Sequence, residues 1–225
     1  MKAVVLLSGG LDSTVCMSIA QKEGYEVLPI SFRYGQRHEL EIENAKNIAE
    51  YYQAHRHLII DADIDKLGGS VLTDHTKEVP EGDFCRKEIP TTYVPARNLI
   101  FLSYAVGYAE VQRAQAIFIG VNAVDYSGYP DCRPEFIRRF QDVVDYATSA
   151  STEEQFKMEL QTPLINFTKA EIIKTGVKNE APIHLTTSCY KGRIPACGVC
   201  DSCKLRLKGF AEAGLEDFIA YEGRD

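Results

Sequence analysis

The chain has 225 residues, of which 45% are hydrophobic and 25% charged, so it falls outside the disordered and membrane-embedded classes. Its formal net charge of −7 argues against a protein that grips a long nucleic acid, which needs basic residues to neutralise phosphates. The apolar start is cut off at Gly9-Gly10 and is too short for a secretory signal, and no apolar run can cross a bilayer. We therefore expect a cytoplasmic protein with a small-molecule substrate.

Apolar strands alternate with helices through most of the chain. In chain order, the patterns predict strand 3–7, helix 12–22, strand 26–32, helix 38–52, strand 57–60, helix 99–111, strand 116–121, helix 135–148 and helix 168–176. This alternation predicts an α/β fold with a doubly wound parallel sheet, whose ligands bind beyond the carboxyl ends of the strands. We expect an α/β domain over 1–180 and a small metal-binding region over 181–225 packed on it.

The first strand leads into a glycine-rich loop that suits a nucleotide phosphate. Its residues are Ser8, Gly9, Gly10, Leu11, Asp12 and Ser13, followed by Thr14. Two glycines let backbone N–H groups turn inward as an anion site, the next helix adds its positive end, and Ser8, Ser13 and Thr14 can add hydroxyl donors. Asp12 fits beside phosphates if it holds Mg²⁺; the alternative is a plain strand-to-helix turn with Asp12 as the helix cap.

The hexapeptide resembles the SGG-x-DS signature of the PP-loop ATP pyrophosphatases. The resemblance implies a doubly wound α/β fold that cleaves ATP between its α and β phosphates. It also implies transfer of AMP to a carbonyl or carboxyl oxygen, with pyrophosphate as the leaving group. Mg²⁺ and hydrogen-bond donors would neutralise the charge of that leaving group.

Two basic residues are candidates for the catalytic machinery together with Asp12. Arg97 follows Val94-Pro95-Ala96 and precedes the apolar helix, where it could reach a phosphate or a substrate carboxylate; the alternative is a surface arginine in the first helical turn. Lys169 lies at a helix start and could supply the cation that a Walker lysine gives elsewhere. Glu171 is better explained as the capping-box partner of Thr168.

The segment after the fourth predicted strand is the most unusual loop of the chain. Its candidate substrate-binding residues are Asp125, Tyr126, Ser127, Gly128, Tyr129, Asp131 and Arg133. A purine-like ring could stack on a tyrosine while an aspartate accepts hydrogen bonds from its N–H groups. The alternative is an ordinary polar turn with tyrosines packed at its base.

Four cysteines cluster near the C-terminus, namely Cys189, Cys197, Cys200 and Cys203. Disulfides are not expected in a reducing cytosol, and two C-x2-C steps in series predict a metal site. Four thiolates make a closed, structural Zn²⁺ site. An iron–sulfur cluster is the rival, and unrelated buried cysteines are the third possibility.

Taken together, these motifs resemble the 7-cyano-7-deazaguanine synthases of the queuosine pathway, a family of PP-loop enzymes. The resemblance includes the segments 34–38, 94–98 and 125–133, with Ala96 standing where the family often has glycine. It implies ATP-dependent conversion of 7-carboxy-7-deazaguanine and ammonia to the nitrile through an adenylated carboxylate and an amide. It also implies bound Zn²⁺ and Mg²⁺, and a homodimer.

Two other functions stay open at the sequence level. One is a PP-loop enzyme that modifies tRNA directly, although the acidic charge counts against it. The other is a non-enzymatic zinc-knuckle module, which would leave the phosphate loop without a purpose.

Overall fold

The computed structural model describes residues 1–37, 40–54, 56–83, 88–123, 128–153 and 156–223. The strands are β1 (Lys2–Leu6), β2 (Glu26–Arg33), β3 (Leu58–Asp61), β4 (Ala116–Phe118) and β5 (Glu159–Gln161). The helices are α1 (Leu11–Lys22), α2 (Leu40–Tyr51), α3 (Arg97–Gln112), α4 (Pro134–Ala147), α5 (Ser149–Thr152), α6 (Lys169–Lys178) and α7 (Asp201–Ala213). The predicted α/β class is confirmed.

The five strands form one parallel sheet in the order β3-β2-β1-β4-β5. β1 is central, with Val4 paired to Leu28 of β2 on one side and to Ile117 of β4 on the other. The chain therefore reverses its winding direction at β1. The crevice at such a switch point, beyond the carboxyl ends of the strands, is where this kind of sheet binds ligands.

Alternating residues of β1 face two separate apolar layers, which is the pattern of a sheet covered on both sides. Val4 and Leu6 pack in a layer that includes Leu102 of α3 and Val144 of α4. Ala3, Val5 and Leu7 pack in the other layer, which the buried faces of α1, α2 and α6 complete. Leu7, directly after β1, still packs in the second layer. Packing against the two layers therefore sets the direction in which the chain leaves the strand.

The predicted strand at 116–121 is too long, because only Ala116–Phe118 pairs as β4. The Ile119 N–H still donates to the Gln161 carbonyl at 3.0 Å, after which the chain turns away at Gly120. A Cβ atom on Gly120 would lie 2.9 Å from the Asp12 carbonyl oxygen. Glycine therefore allows the end of β4 to pass directly against the start of α1.

The sequence patterns missed three of these strands and helices, namely α5, β5 and α7. β5 has only three residues, with the polar sequence Glu-Leu-Gln, which carries no strand signal. α7 begins within the cysteine cluster and ends at Gly214. Phe210 of α7 lies in the same apolar layer as Ile172 of α6, so α7 packs on the sheet domain. The division at residue 180 stays a prediction.

Candidate functional site

A cleft of about 280 Å³ opens at the carboxyl ends of the central strands. The phosphate loop contributes Ser8, Gly10, Leu11, Asp12 and Ser13 to its wall; α3 contributes Arg97, and α6 contributes Lys169. Gly9 and Thr14 are not part of the lining. The structure thus brings together the three residues that the sequence singled out as catalytic candidates.

The loop from Ser8 to Ser13 is held by hydrogen bonds among its own groups. The Ser8 N–H donates to the Ser13 hydroxyl oxygen at 3.2 Å, and that hydroxyl donates to the Gly10 carbonyl at 3.1 Å. Thr14 is fully buried and its hydroxyl also donates to the Gly10 carbonyl, at 2.8 Å. Thr14 therefore supports the loop from behind instead of facing the cleft.

Gly9 has a φ of 79°, which favours glycine strongly over residues with a side chain. A Cβ atom there would lie 2.2 Å from the Glu41 carbonyl oxygen of α2. Both the backbone angle and the contact with α2 require a glycine at this position.

Asp12 and Lys169 form an ion pair in the cleft wall. The Lys169 ammonium lies 2.8 Å from both carboxylate oxygens of Asp12, with exposed side-chain fractions of 13% and 28%. Asp12 is the second residue of α1 and does not cap it. The N-cap position belongs to Gly10, which has no side chain that could make a capping hydrogen bond. The capping alternative for Asp12 is therefore wrong, whereas the Thr168–Glu171 capping box that starts α6 is confirmed.

Arg97 is half-buried in the cleft wall and is not a surface residue, so that alternative is wrong. Its guanidinium lies 5.9 Å from the ring centre of Tyr34, a distance for cation–π attraction. Burial works to lower the pKa of Arg97, but the nearby hydroxyls of Tyr34 and Tyr129 raise it above its ordinary value. Burial in turn raises the pKa of Tyr34 to about 12. Arg97 is thus a fixed positive charge among neutral phenols.

The entry to α3 fixes where Arg97 points. Ala96 has a φ of 55°, in the left-handed region. Its N–H donates to the Tyr93 hydroxyl oxygen at 3.1 Å, and the Asn98 N–H donates to the Asp131 carboxylate at 2.9 Å. The added methyl of Ala96, relative to glycine, therefore sits at a strained backbone position.

The structure divides the predicted substrate loop into three parts. Asp125, Tyr126 and Ser127 lie outside the described residues. Tyr129 is buried in the cleft wall, with its hydroxyl 3.0 Å from that of Thr92. Gly128, Asp131 and Arg133 do not line the cleft.

Asp131 has a different task from the one the sequence suggested. Its carboxylate accepts from the α3 backbone, and its carbonyl accepts from the Asn98 side chain at 3.2 Å. The Arg133 side chain is exposed, at the start of α4. Asp131 therefore anchors α3 and does not offer an acceptor to a ring in the cleft.

The four cysteines of the C-terminal region come together as predicted, and all are buried. Their sulfur atoms lie within 4.8 Å of one another, and those of Cys197 and Cys203 are 4.0 Å apart. A tetrahedral zinc site with Zn–S bonds of about 2.3 Å places its sulfurs about 3.8 Å apart. The donor set therefore fits a metal ion of this type.

Hydrogen bonds between the thiols show why a cation suits the cysteine cluster. Cys189 accepts from the Cys200 and Cys203 thiols, which lowers its pKa, and the same contacts raise the pKa of Cys203. One thiolate is thus stabilised by its neighbours, but four thiolates in this space require a bound positive charge.

Arg206 of α7 is a cleft residue that the sequence analysis missed. Its side chain is 1% exposed and makes two 2.8 Å hydrogen bonds to the Asp217 carboxylate. It also donates to the hydroxyl oxygens of Thr186, at 2.6 Å, and Ser188, at 3.3 Å. A lone arginine in an unpredicted helix gives no sequence signal, although its spacing of three residues from Cys203 could have suggested a shared helix.

The segment 186–188 connects the cysteine cluster to the phosphate loop. The Thr187 N–H donates to the Gly9 carbonyl at 3.1 Å, and the first metal-site cysteine, Cys189, follows two residues later. Arg206 donates hydrogen bonds to the hydroxyl oxygens of Thr186 and Ser188, on either side of Thr187. Thr187, Ser188 and Arg206 of the C-terminal region line the cleft together with the phosphate loop.

Comparisons with known proteins agree with these features. The model of the family described as "Queuosine biosynthesis protein QueC" matches residues 2–214. The chain is 59% identical to the 7-cyano-7-deazaguanine synthase of Acetivibrio thermocellus, over 99% of both chains. It is 52% identical to that of Oceanobacillus iheyensis, over 98% of both.

Among solved structures, the NMN synthetase of Francisella tularensis shares the fold. The TM-score is 0.50 at 15% sequence identity, over 96% of this chain and 78% of that one.

Within the described residues, every helix is too short or too polar to span a bilayer.

Proposed function

The chain belongs to the QueC family of queuosine biosynthesis proteins, and we propose that it is the ATP-dependent ligase that makes 7-cyano-7-deazaguanine from 7-carboxy-7-deazaguanine and ammonia. The observation that carries the proposal is the cleft, which joins the Ser8–Ser13 loop, Asp12, Lys169 and Arg97 in one wall. The high identity to synthases of that name supports the substrate.

The phosphate end of the cleft activates the substrate. The loop N–H groups and the positive end of α1 hold the triphosphate, and Lys169 neutralises charge as pyrophosphate leaves. Asp12 would hold Mg²⁺, which would screen the phosphates and polarise the bond that breaks. The ion pair between Asp12 and Lys169 (2.8 Å) keeps both groups at the same point of the wall.

The other end of the cleft holds the organic substrate. Arg97 binds the carboxylate of 7-carboxy-7-deazaguanine, and the ring lies among the aromatic side chains Tyr34 and Tyr129. The carboxylate oxygen attacks the α-phosphate of ATP, which gives an acyl adenylate and releases pyrophosphate. Asp125, Tyr126 and Ser127 stay candidates for the ring contacts.

Ammonia then takes the place of AMP. Its nitrogen attacks the acyl carbon and AMP leaves, giving the amide and a proton. A second ATP adenylates the amide oxygen and releases pyrophosphate; this oxygen then leaves as part of AMP while the nitrogen loses its two protons, which gives the nitrile. A charged Arg97 stabilises the oxygen that carries negative charge in both rounds.

The rest of the proposal concerns the structural metal ion, the cellular compartment and the oligomeric state. Cys189, Cys197, Cys200 and Cys203 would bind Zn²⁺ as a structural ion, because four cysteine ligands leave no open coordination position. The protein would act in the cytoplasm, as a homodimer, on free small molecules and without binding nucleic acid.

A product assay tests the function. Purified protein is incubated with 7-carboxy-7-deazaguanine, ATP, Mg²⁺ and ammonium, and the products are identified by mass spectrometry. We expect the nitrile, AMP and pyrophosphate, with no nitrile when ammonium is omitted. If neither the substrate nor ATP is consumed under these conditions, the proposal is contradicted. Binding of tRNA at low salt would favour the tRNA-modifying alternative.

The variant D12N tests the site. It removes one charge at the phosphate end, and we expect kcat/KM to fall by about 10²–10³-fold. D61N is the matched control, because Asp61 forms an exposed ion pair with Arg33 at the far edge of the sheet. Equal activity of D12N and D61N would remove Asp12 from the mechanism.

A further inference from the structure

Helices α6 and α7 touch through a glycine. A Cβ atom on Gly209 of α7 would lie 2.4 Å from the Cγ atom of Lys169, 2.8 Å from its Cβ atom and 3.0 Å from the Cδ1 atom of Ile173. The first two distances are shorter than any packed side chain tolerates. Only glycine at position 209 leaves room for the stem of Lys169.

The contact limits where the Lys169 side chain can go. Lys169 is the first residue of α6, whose start is fixed by the Thr168–Glu171 capping box. α7 covers one side of the lysine stem, and the side chain is only 13% exposed, which is rare for lysine. The stem is thereby directed along α7, and its ammonium ends on Asp12.

We infer that Gly209 is a positioning residue, which sets the Lys169 ammonium against Asp12 by giving the lysine stem a groove on α7. The consequence for ATP rests on the proposed function, in which Lys169 meets the phosphates. A lysine is long and flexible, so an ammonium held in one place loses less freedom when a phosphate arrives.

The first experiment measures where Lys169 is, and it needs no nucleotide. G209A and the wild type are labelled with an acetylating reagent, and the rate at Lys169 is followed by mass spectrometry with the exposed Lys22 as internal reference. We expect faster labelling of Lys169 in G209A, because the added methyl pushes the stem out of its groove. An unchanged rate would overturn the inference.

G107A is the matched control for this substitution. Gly107 lies in α3, and a Cβ atom there would meet nothing within 4 Å. Both variants add one methyl to a helical glycine, so an effect of helix propensity alone appears in both. Lys169 labelling and ATP binding should be unchanged in G107A.

The second experiment measures ATP affinity by calorimetry in the wild type, G209A, K169A and K169A/G209A. We expect G209A to weaken binding roughly tenfold, the scale of one charge-assisted hydrogen bond, and to add little in the K169A background. Equal losses in both backgrounds would make Gly209 a structural residue and overturn the inference. A wild type that does not bind ATP would instead overturn the proposed function, while the labelling result would still stand.

A second double variant, K169G/G209A, covers the case in which G209A does not fold. K169G removes both the Cγ atom that the added methyl meets at 2.4 Å and the Cβ atom that it meets at 2.8 Å, so K169G/G209A should recover soluble protein. If it does not, Lys169 is not the residue that requires a glycine at position 209, and the inference fails.

Discussion

The molecule contains two tight loops that each lead into a helix, and they are stabilised in different ways. The loop from Ser8 to Ser13 enters α1 and is closed by hydrogen bonds among its own serines and backbone. The loop from Cys197 to Cys203 enters α7, and its interior is filled by sulfur atoms. The first loop satisfies its polar groups by itself, whereas the second brings its three thiols together with that of Cys189, and the four can all ionise only around a cation.

The two loops also differ in what they support. Residues of the apolar layers surround the phosphate loop, and the central strand β1 leads into it. The cysteine loop supports α7, and with it Arg206, which lines the cleft, and Gly209, which packs against the stem of Lys169. Metal loss should therefore act on the cleft from the C-terminal side and leave the sheet intact.

Metal removal should give the largest effect on stability. A structural Zn²⁺ contributes about 10–16 kcal/mol in small zinc peptides, so we expect a strong chelator to unfold the region from Thr186 to the end of α7. Hydrogen exchange measured by mass spectrometry should show loss of protection there, with β1 and β2 still protected. The variant C200S should show the same pattern without a chelator.

C16A is the control for the cysteine substitution. Cys16 is fully buried in α1, in the other apolar layer, so C16A removes a buried thiol without touching the cluster. It should keep both the metal and the response to chelator. Unfolding that spreads evenly over the whole chain in C200S would show that the two loops do not differ in the way described.

Loss of the Arg206–Asp217 pair should have the next largest effect. R206M removes both Arg206 hydrogen bonds from the buried Asp217 carboxylate and leaves it the Tyr221 hydroxyl as a donor. Breaking a buried ion pair costs about 3–5 kcal/mol of unfolding free energy. R193M is the matched control, because the Arg193–Glu222 pair is about half exposed and such pairs contribute about 0–1 kcal/mol. Urea denaturation measures both.

The outcome of that comparison bears on the C-terminal region. If R206M and R193M lose equal stability, α7 is not held to the segment 186–188 by the buried arginine. A loss confined to R206M, with zinc content unchanged, would show that the cysteine loop and Arg206 hold α7 independently.

A smaller effect on the free energy of unfolding, arising next to the phosphate loop, should appear when the pH is lowered. The Ser31 hydroxyl donates to the Leu7 carbonyl and lies 2.7 Å from His57 Nε2. Burial lowers the pKa of His57, with a second contribution from Lys46. The unfolded chain therefore binds more protons than the folded one below a pH of about 6.5, so stability falls as the pH drops through that range.

The variant H57Q should flatten this part of the stability profile, measured by urea denaturation at a series of pH values. H184Q changes an exposed histidine and should leave the slope as it is. A slope that is the same in all three proteins would mean that His57 does not link protons to the phosphate loop.

Much of the fold follows from local patterns in the sequence. β1, α1 and the loop between them are predictable because residues 3–7 form an apolar run and the loop has two glycines. β5 is not predictable, since three mostly polar residues become a strand only through pairing with β4. α7 is not predicted because the metal-ligand spacing of Cys200 and Cys203 overlaps the start of the helix at Asp201.

The site was predictable where its residues belong to a motif. Asp12 and Lys169 were both named, but their 2.8 Å contact joins residues 157 positions apart, which spacing cannot reveal. Asp131 was assigned to the substrate because a carboxylate in a loop looks available. Its bond to the start of α3 depends on packing that only the folded chain defines.

The left-handed backbone of Ala96 limits which residues can replace it in evolution. A left-handed backbone costs an L-residue about 1–2 kcal/mol relative to glycine, while glycine gives back about 0.4–1 kcal/mol through the greater freedom of the unfolded chain. The difference of about 0–1.6 kcal/mol favours glycine, yet it is small enough for alanine to be tolerated at this position. A β-branched residue at a φ of 55° would be strained further, so the entry to α3 confines evolutionary change there to the smallest residues.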